Sequence, residues 1–545
     1  MTPRPSIKIL FGTETGTAEG AADDLAVALR AAGYRAEVVD MAEYETPRLS
    51  HEPLVVVITS TFGNGDPPAN AEPMLTALRA ERPDLSGLPF AVMGLGDASF
   101  PRFAQCGRDV DALLADLGAE RVVDLVDVDG EPAGPLIDFQ AALLADLATR
   151  PDLPRGAPVE APPPPPPAQG LWAKLSSWFA GAPTPAATHP PDRRHPAKGR
   201  LLAARRLTDQ ASAADTWHYL LELGAPAAGL KPGDCIGVLP HNPPGLVDAI
   251  LEAAQADGDA AVAVGSRRAT LREALGQRCL KRIRPRLLAE LGDEAAALAG
   301  TSDAMKALAE TAHVLHVLRR FGTPVAPQVL VDALHPLAPR LYSVANDVGH
   351  GQVALCVTTV RYEVDGVPTD GVASTWLQEQ LVPGSPIAWF PDPHPAFRLP
   401  DDDAPLIMIG TGTGIAPFRG YLEQLAHGAP PRHTWLFFGH RHAALDDLYG
   451  PELQGFLDDG HLTRLTTAWS RDFPGAYVQQ RLTEHGEDVW AWLAEGARVR
   501  VCGSPAMAAG VRAALRDLAG QSGLDGEAWL AERQADGGYL EEAYD

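Results

Sequence analysis

Cysteine is scarce in this 545-residue chain, and the five present, Cys106, Cys235, Cys279, Cys356 and Cys502, are widely scattered. No C-x-x-C pair occurs. An iron–sulfur cluster or a structural zinc site therefore lacks its ligand set, and no metal is expected. Positive charge is also short: 45 Lys and Arg stand against 70 Asp and Glu, a net charge of −25. That balance argues against a nucleic-acid binder and against a protein held on anionic lipid. No apolar run approaches the roughly 18 residues of a membrane span. Residues Met1–Ser6 lack the apolar stretch of a signal peptide. The expectation is a cytoplasmic protein with reduced thiols.

What is present reads as globular. Apolar residues make up 46% and charged residues 21%, enough for large cores. At about 150 residues per domain the length allows three or four domains. Proline is concentrated in one place: 14 of the 48 residues from Pro151 to Lys198, including the run Pro162–Pro167. Such a stretch is extended or disordered, so it reads as a linker. Within it, Leu171–Phe179 has apolar residues near helical spacing, which fits either a short docking helix or a patch of no defined role.

Before the linker, strands and helices alternate. Ile7–Phe11, Val55–Ile58 and Phe90–Met93 read as buried strands, Ala18–Ala32 and Phe103–Leu117 as helices. That pattern implies a doubly wound parallel sheet with ligands at the strand C-terminal ends. After the linker, Leu201–Val238 reads as β-rich with a turn at Lys231–Asp234, and an alanine-rich helical stretch follows over about 243–321. Strands resume near Arg340–Tyr362, and a last α/β unit starts at Leu406. The expected domains are 1–150, a linker 151–198, a β-barrel with helical insertion over 199–400, and an α/β domain over 401–545.

Three loops in the first segment can hold chemistry. Thr13-Glu14-Thr15-Gly16-Thr17-Ala18 opens the first helix with donors suited to a phosphate. Ser60-Thr61-Phe62-Gly63 and Leu95-Gly96-Asp97-Ala98-Ser99-Phe100 each add small polar groups and one aromatic. One phosphate cradle and two aromatics able to sandwich a flat ring specify a flavin mononucleotide pocket.

With these loops, and with Gln105-Cys106-Gly107 after the third, residues 7–148 resemble the flavodoxin domain of the diflavin reductases. The C-terminal part resembles the same family over nearly its whole length. Arg340-Leu341-Tyr342-Ser343 is similar to its Arg-x-Tyr-Ser flavin motif, and Gly371-Val372-Ala373-Ser374 to its second pyrophosphate loop. Gly410-Thr411-Gly412-Thr413-Gly414 is similar to its nicotinamide-nucleotide loop, followed in family order by Arg441, Ser470-Arg471, Tyr477-Val478-Gln479, Val501-Cys502-Gly503 and the tail Tyr539–Tyr544.

The resemblance implies FMN on the first domain, FAD on a barrel of the ferredoxin–NADP reductase type, and NADPH on the last domain. It implies that Arg340 meets the FAD pyrophosphate and that Tyr342, Cys356, Val357, Thr358 and Tyr362 face FAD. Ser343, Cys502 and Glu542 would surround its hydride-transfer edge, and Tyr544 would stack on the ring. Arg441, Ser470 and Arg471 would read a 2′-phosphate, with Tyr477 and Gln479 beside them. Glu542 stands where the family has aspartate, Gly475 where it has lysine, and Gly510 where it has an acid. The implied route runs from NADPH through FAD and FMN to a separate haemoprotein, and the tail pattern points to a sirohaem sulfite reductase subunit as that acceptor. Another haem acceptor, or a flavin sensor without turnover, remain open alternatives. Residues 1–150 carry 24 Asp and Glu against 11 Lys and Arg. Glu72, Asp97, Asp109 and Asp111 are therefore expected to steer a basic acceptor.

Overall fold

The computed structural model describes residues 6–13, 16–61, 65, 67–68, 70–96, 102–130, 132–150, 153, 191–193, 195–264, 267–281, 283–298, 308, 312–349, 351–364 and 367–544. Glu14, Thr15, Phe62, Gly63, Asp97, Ala98, Ser99, Phe100 and the Leu171–Phe179 segment lie outside them. The chain divides into two compact units, Met1–Thr184 with Asn242–Ala338, and Pro185–His241 with Pro339–Asp545.

In the first unit, strands β1 (Ile7–Gly12), β2 (Ala36–Asp40), β3 (Val55–Ser60), β4 (Pro89–Gly96) and β5 (Glu120–Arg121) form a parallel sheet in the order β2-β1-β3-β4-β5. A further strand, β6 (Val126–Asp129), pairs with the C-terminal half of β4, so the fifth position is split. This is the flavodoxin-like order, with its switch point between β1 and β3. Val55–Ile58 are fully buried, as an uninterrupted apolar run in a central strand requires. Helices α1 (Thr17–Ala31) and α4 (Ala133–Leu147) cover one face through Leu25, Leu29, Phe139 and Leu143. Helices α2 (Glu72–Glu81) and α3 (Gln105–Asp116) cover the other through Leu75, Leu78, Val110 and Leu114.

The helical stretch in this unit runs further than its sequence suggests. It begins with Pro244–Ala253 and ends with Pro327–Asp332, and it contains the hairpin β10 (Ala261–Val264) and β11 (Arg267–Thr270). Gly322, at φ 60°, ends the helix Val314–Phe321 and reads as a stop. Pro327 then restarts a helix at its first turn, where its missing N–H costs nothing.

The second unit joins an antiparallel barrel to a parallel sheet. The barrel strands are β7 (Ala197–Arg206), β8 (Thr216–Glu222), β9 (Cys235–Leu239), β12 (Arg340–Ser343), β13 (Gln352–Thr358) and β16 (Pro386–Asp392), in the order β12-β9-β16-β7-β8-β13. A separate hairpin pairs β14 (Arg361–Val364) with β15 (Val367–Asp370). The sheet holds β17 (Leu406–Thr411), β18 (Thr434–His440), β19 (Arg464–Trp469), β20 (Arg498–Gly503) and β21 (Tyr539–Ala543), in the order β19-β18-β17-β20-β21. One apolar cluster runs from Ala354 and Cys356 of the barrel to Leu406, Phe418 and Cys502 of the α/β part.

Helix α3 sits unusually close to the first sheet. A Cβ on Gly107 would lie 2.4 Å from the Cα of Gly94 on β4, so only hydrogen fits between helix and strand. Replacing Gly107→Ala is expected to lower stability by about 1–3 kcal/mol through overpacking. Thermal unfolding of the variant checks this; an unchanged midpoint would show that the helix can back away freely.

Candidate active site

The first site is built at the C-terminal edge of the first sheet. Gly12 on β1 pairs with Thr59 on β3, and Ser60 pairs with Leu95 on β4, which sets the described parts of all three loops side by side. Thr13 N–H donates to Asn70 Oδ1 at 2.8 Å, and Gly16 N–H donates to Thr13 Oγ1 at 2.9 Å. Gly16, the N-cap of helix α1, is left-handed at φ 88° and as a glycine offers no side-chain cap. The first turn of α1, which holds Thr17, Ala18 and Glu19, presents the positive end of the helix dipole at this edge. Thr61 N–H donates to Leu95 O at 2.9 Å, and the Thr61 hydroxyl accepts from Cys106 N–H at 3.1 Å. Ser60, Thr61, Leu95 and Gly96 therefore share one edge with Thr13 and Gly16. These groups fit a phosphate at the first loop and a flat ring over the other two.

The acidic face differs in one respect from expectation. Asp111 is buried and pairs with the Arg121 guanidinium, with Arg121 Nε donating to Oδ1 at 2.7 Å. It is a structural ion pair, spent within the domain, because β5 brings Arg121 alongside α3. Asp109 accepts from Gln105 at 2.6 Å.

On the barrel, Arg340-Leu341-Tyr342-Ser343 is the whole of β12 and pairs residue by residue with Val238–Cys235 on β9. Cys356, Val357 and Thr358 lie on β13 opposite His218–Thr216, and Thr358 Oγ1 is 2.8 Å from Thr216 Oγ1. Tyr362 lies on β14. Gly371 caps the single turn Val372–Thr375. There Ser374 Oγ accepts from Val360 N–H at 3.0 Å and Thr375 Oγ1 donates to Gly371 O at 2.7 Å. Short backbone-rich turns of this kind suit a pyrophosphate.

Strand register gathers the residues expected at the hydride-transfer edge. Cys235 lies opposite Ser343 on one side and opposite Asp392 on the other. Cys235 Sγ is 3.8 Å from Ser343 Oγ. In the parallel sheet, Cys502 is the partner of Glu542. His394 joins the two: its Nδ1 is 3.0 Å from Glu542 Oε1 and its Nε2 is 3.1 Å from Asp392 Oδ2. Burial pushes the thiols of Cys235 and Cys502 well up, and the nearby Glu542 adds to it, so both are neutral. Burial also raises Glu542, against the pull of His394.

The nucleotide loop opens directly onto this edge. After β17, Gly412–Ile415 makes a tight turn into the helix Ala416–Ala426. A Cβ on Gly414 would lie 2.0 Å from the Cys502 carbonyl oxygen, so a glycine is needed for the loop to sit against β20. The loop faces a cleft of about 780 Å³ that is also lined by Thr358, Arg441, Ser470, Tyr477, Gln479 and Tyr544. Tyr544 N–H donates to Gly503 O at 2.9 Å, and its hydroxyl is 3.1 Å from Thr413 Oγ1. Arg471 N–H donates to Arg441 O at 2.8 Å, which ties the two arginine loops together. A turn at a helix N-terminus, a guanidinium and a hydroxyl around one cleft fit a phosphorylated dinucleotide.

A protein-family model for flavodoxin matches residues 9–140, and one for an oxidoreductase NAD-binding domain matches residues 408–513. The chain is 33% identical to the sulfite reductase [NADPH] flavoprotein alpha-component of Escherichia coli strain K12, over 99% of this chain and 90% of that protein. The proteins of the same name from Klebsiella pneumoniae and Shigella boydii match equally, at 33% identity over the same shares. The chain belongs to the diflavin reductase family. Like those relatives it is an oxidoreductase, and among the described residues no helix is long and apolar enough to cross a membrane.

Several residues of this reductase's cleft and edge carry no sequence motif. Asp392, His394 and Cys235 come beside Ser343 and Glu542 only because β9 lies between β12 and β16. His440 lines the nucleotide cleft and accepts from Arg441 N–H through Nδ1 at 2.8 Å. Only the barrel register, absent from a linear reading, would have found the first three.

Tyr544 covers the floor between the nucleotide loop and Cys502. Replacing Tyr544→Ala is expected to tighten binding of oxidised nucleotide and slow its release. Calorimetry of NADP⁺ binding with product-inhibition kinetics checks this. Unchanged affinity and unchanged inhibition would reject the covering role.

Proposed function

We propose that this diflavin reductase passes electrons from NADPH through FAD and FMN to a separate haemoprotein, and that the acceptor is a sulfite reductase haemoprotein. The observation that carries the reading is the single cleft that brings Thr411–Thr413, Arg441, Ser470 and Tyr544 together beside Cys502. NADPH gives up two electrons at once and a haem takes one, so FAD supplies acceptance of a hydride and FMN supplies delivery of single electrons. The relatives are named as NADPH-linked sulfite reductase flavoproteins, which supports the choice of both donor and acceptor. A cytoplasmic location belongs to this reading, in keeping with five scattered free cysteines.

In this reading the residues divide the work. Thr13, Gly16 and Thr17 hold the FMN phosphate, and Thr61 and Leu95 bound its ring. Arg340 and the Gly371–Ser374 turn hold the FAD pyrophosphate. Gly410–Gly414 carries the nucleotide pyrophosphate, while Ser470, Arg441 and Arg471 meet the 2′-phosphate. Tyr544 leaves the cleft floor when nicotinamide enters. Ser343, Cys502 and Glu542 then surround the transferred hydrogen. With both thiols neutral, the Glu542 carboxylate is the group of this set that would meet the positive charge left on nicotinamide.

Phosphate reading is testable on the arginines. Loss of one charge-assisted contact costs roughly 1.5–3 kcal/mol, so Arg471→Ala is expected to raise KM for NADPH tenfold or more over NADH. Equal effects on both nucleotides would reject Arg471 as the reader, and the same assay on Arg441→Ala would then identify the guanidinium at work.

The acceptor has its own test. The purified chain is expected to release FMN and FAD in equal amounts and to reduce cytochrome c with NADPH. A native haemoprotein captured with it should show a sirohaem spectrum. Transfer to that acceptor should fall steeply with salt, because opposite charges steer the encounter and salt screens them over a Debye length of about 8 Å at physiological strength. Reduction of FAD by NADPH should respond much less. A captured acceptor without sirohaem would overturn the sulfite reductase assignment, and a salt-insensitive rate would reduce the acidity of residues 1–150 to a solvated surface.

A further inference from the structure

His394 has a place at the reactive edge that no motif in the sequence announces. Both of its ring nitrogens face carboxylates, Nδ1 toward Glu542 at 3.0 Å and Nε2 toward Asp392 at 3.1 Å. A carboxylate only accepts, so a neutral imidazole would turn one lone pair against negative charge. Two donated hydrogen bonds require the imidazolium. The residue is anchored through its backbone as well: the His394 main-chain N–H donates to Asp234 Oδ1 at 2.9 Å. Its side chain keeps only 23% of its surface, and that of Glu542 16%.

The same place is in touch with the reacting centre. The Cys235 sulfur, a His394 ring nitrogen and a Glu542 oxygen all lie within 4.8 Å of one another. Cys235 leads to Ser343, and Glu542 leads by strand pairing to Cys502. The remaining charged and titratable groups around Glu542 are accounted for. Asp234 is paired twice with Arg398, at 2.8 Å each. Asp392 is bonded to His394. Cys235, Cys502 and Tyr421 are buried and held neutral, and the partly exposed Tyr544 phenol is held neutral as well. Arg500, which acts on Tyr421, is directed by hydrogen bonds to Val499 O and Gly537 O.

We propose that His394 is a positioning residue for hydride transfer, a permanent cation clamped between Asp392 and Glu542 that holds Glu542 in place as a carboxylate. The inference rests on the reading of Glu542 as a group at the hydride-transfer edge. In that step the nicotinamide C–H bond breaks with its electron pair, the hydrogen and both electrons pass to FAD, and a positive charge stays on the nicotinamide. An ionised Glu542 stabilises that charge and a protonated one does not. His394 neither gains nor loses a proton.

Electrostatics run the same way. Burial alone would lower the His394 pKa, but its bonds to Asp392 and Glu542 outweigh burial and push it up to about 10. Burial raises Glu542, and His394 is the main force holding it down. A carboxylate with a raised pKa is ionised above that pKa and loses its charge as pH falls through it. Removing the His394 cation should therefore move the loss of charge upward, by about 1–3 pH units for an adjacent opposite charge.

The test uses the full holoenzyme. In the native protein, ¹⁵N-edited histidine spectra should show His394 doubly protonated across neutral pH. In His394→Gln, single-turnover reduction of FAD by NADPH should show its acid limb shifted upward by about 1–3 pH units. The infrared spectrum of that variant at neutral pH should gain the carbonyl band of a buried, protonated carboxylic acid, absent from the native protein and from a Glu542→Gln/His394→Gln double variant. His394→Lys should return the limb part of the way. A native acid limb in His394→Gln, with no new band, would overturn the proposal. So would a native His394 that titrates near the ordinary imidazole value, a measurement that needs no variant. If NADPH fails to reduce FAD in the native protein, the parent reading falls instead, and the spectra still decide whether His394 is a cation.

Discussion

Asp234 has no exposed side-chain surface, and four donors converge on its carboxylate. Lys231 N–H and His394 N–H bind it at 2.8 and 2.9 Å, and Arg398 binds both oxygens at 2.8 Å through Nε and Nη2. Its backbone oxygen accepts from Val344 N–H at 2.9 Å. One residue thus ties the turn before β9, the end of β12 and the loop after β16. Breaking such a buried pair from one side costs about 3–5 kcal/mol, because the partner charge stays behind without water. The cost explains why the loop carrying His394 is held in place. Without that fixed loop, the His394 bond that ties Glu542 to the barrel edge would lose its anchor.

The nucleotide half depends on a steric constraint of the same kind. Gly414 lies so close to the Cys502 carbonyl that the loop can only sit flat on β20. The turn then meets the cleft with its backbone, and the neighbouring strand delivers Cys502 and, through β21, Glu542 to the same spot. Chemistry and binding share a boundary because two strands and one turn are packed without a side chain between them.

Much of this was legible in the sequence because it is local. Val55–Ile58 is a central strand since an unbroken apolar run has no other stable place. Thr13–Thr17 and Gly410–Gly414 announce themselves as strand-to-helix turns. What could not be read depends on pairing between distant residues. Asp111 looks like a surface acid until β5 brings Arg121 to it. Asp392 and His394 carry no pattern, and only the order β12-β9-β16 makes them neighbours of Ser343 and Cys235. Alanine-rich composition marks the helical stretch over about 243–321, and the helix Pro327–Asp332 beyond Gly322 carries no such mark. Its opening proline sits at N1, where the fold tolerates it and composition alone does not reveal a helix start.

Around Glu542 the buried charges are paired except for one. In a poorly solvated site an uncompensated charge is costly, so Asp234 is matched by Arg398, and Asp392 by His394. Burial keeps the thiols of Cys235 and Cys502 neutral. The cluster of Asp392, His394 and Glu542 is then left with one net negative charge, and His394 fixes where it resides. Among the described residues, the partner that Glu542 shows for that charge is the shared imidazolium. A cation arising beside it, as hydride transfer creates, is therefore met by a charge already desolvated and oriented. Little reorganisation remains for the step itself, which is the condition under which electrostatic stabilisation acts on the barrier and not only on binding.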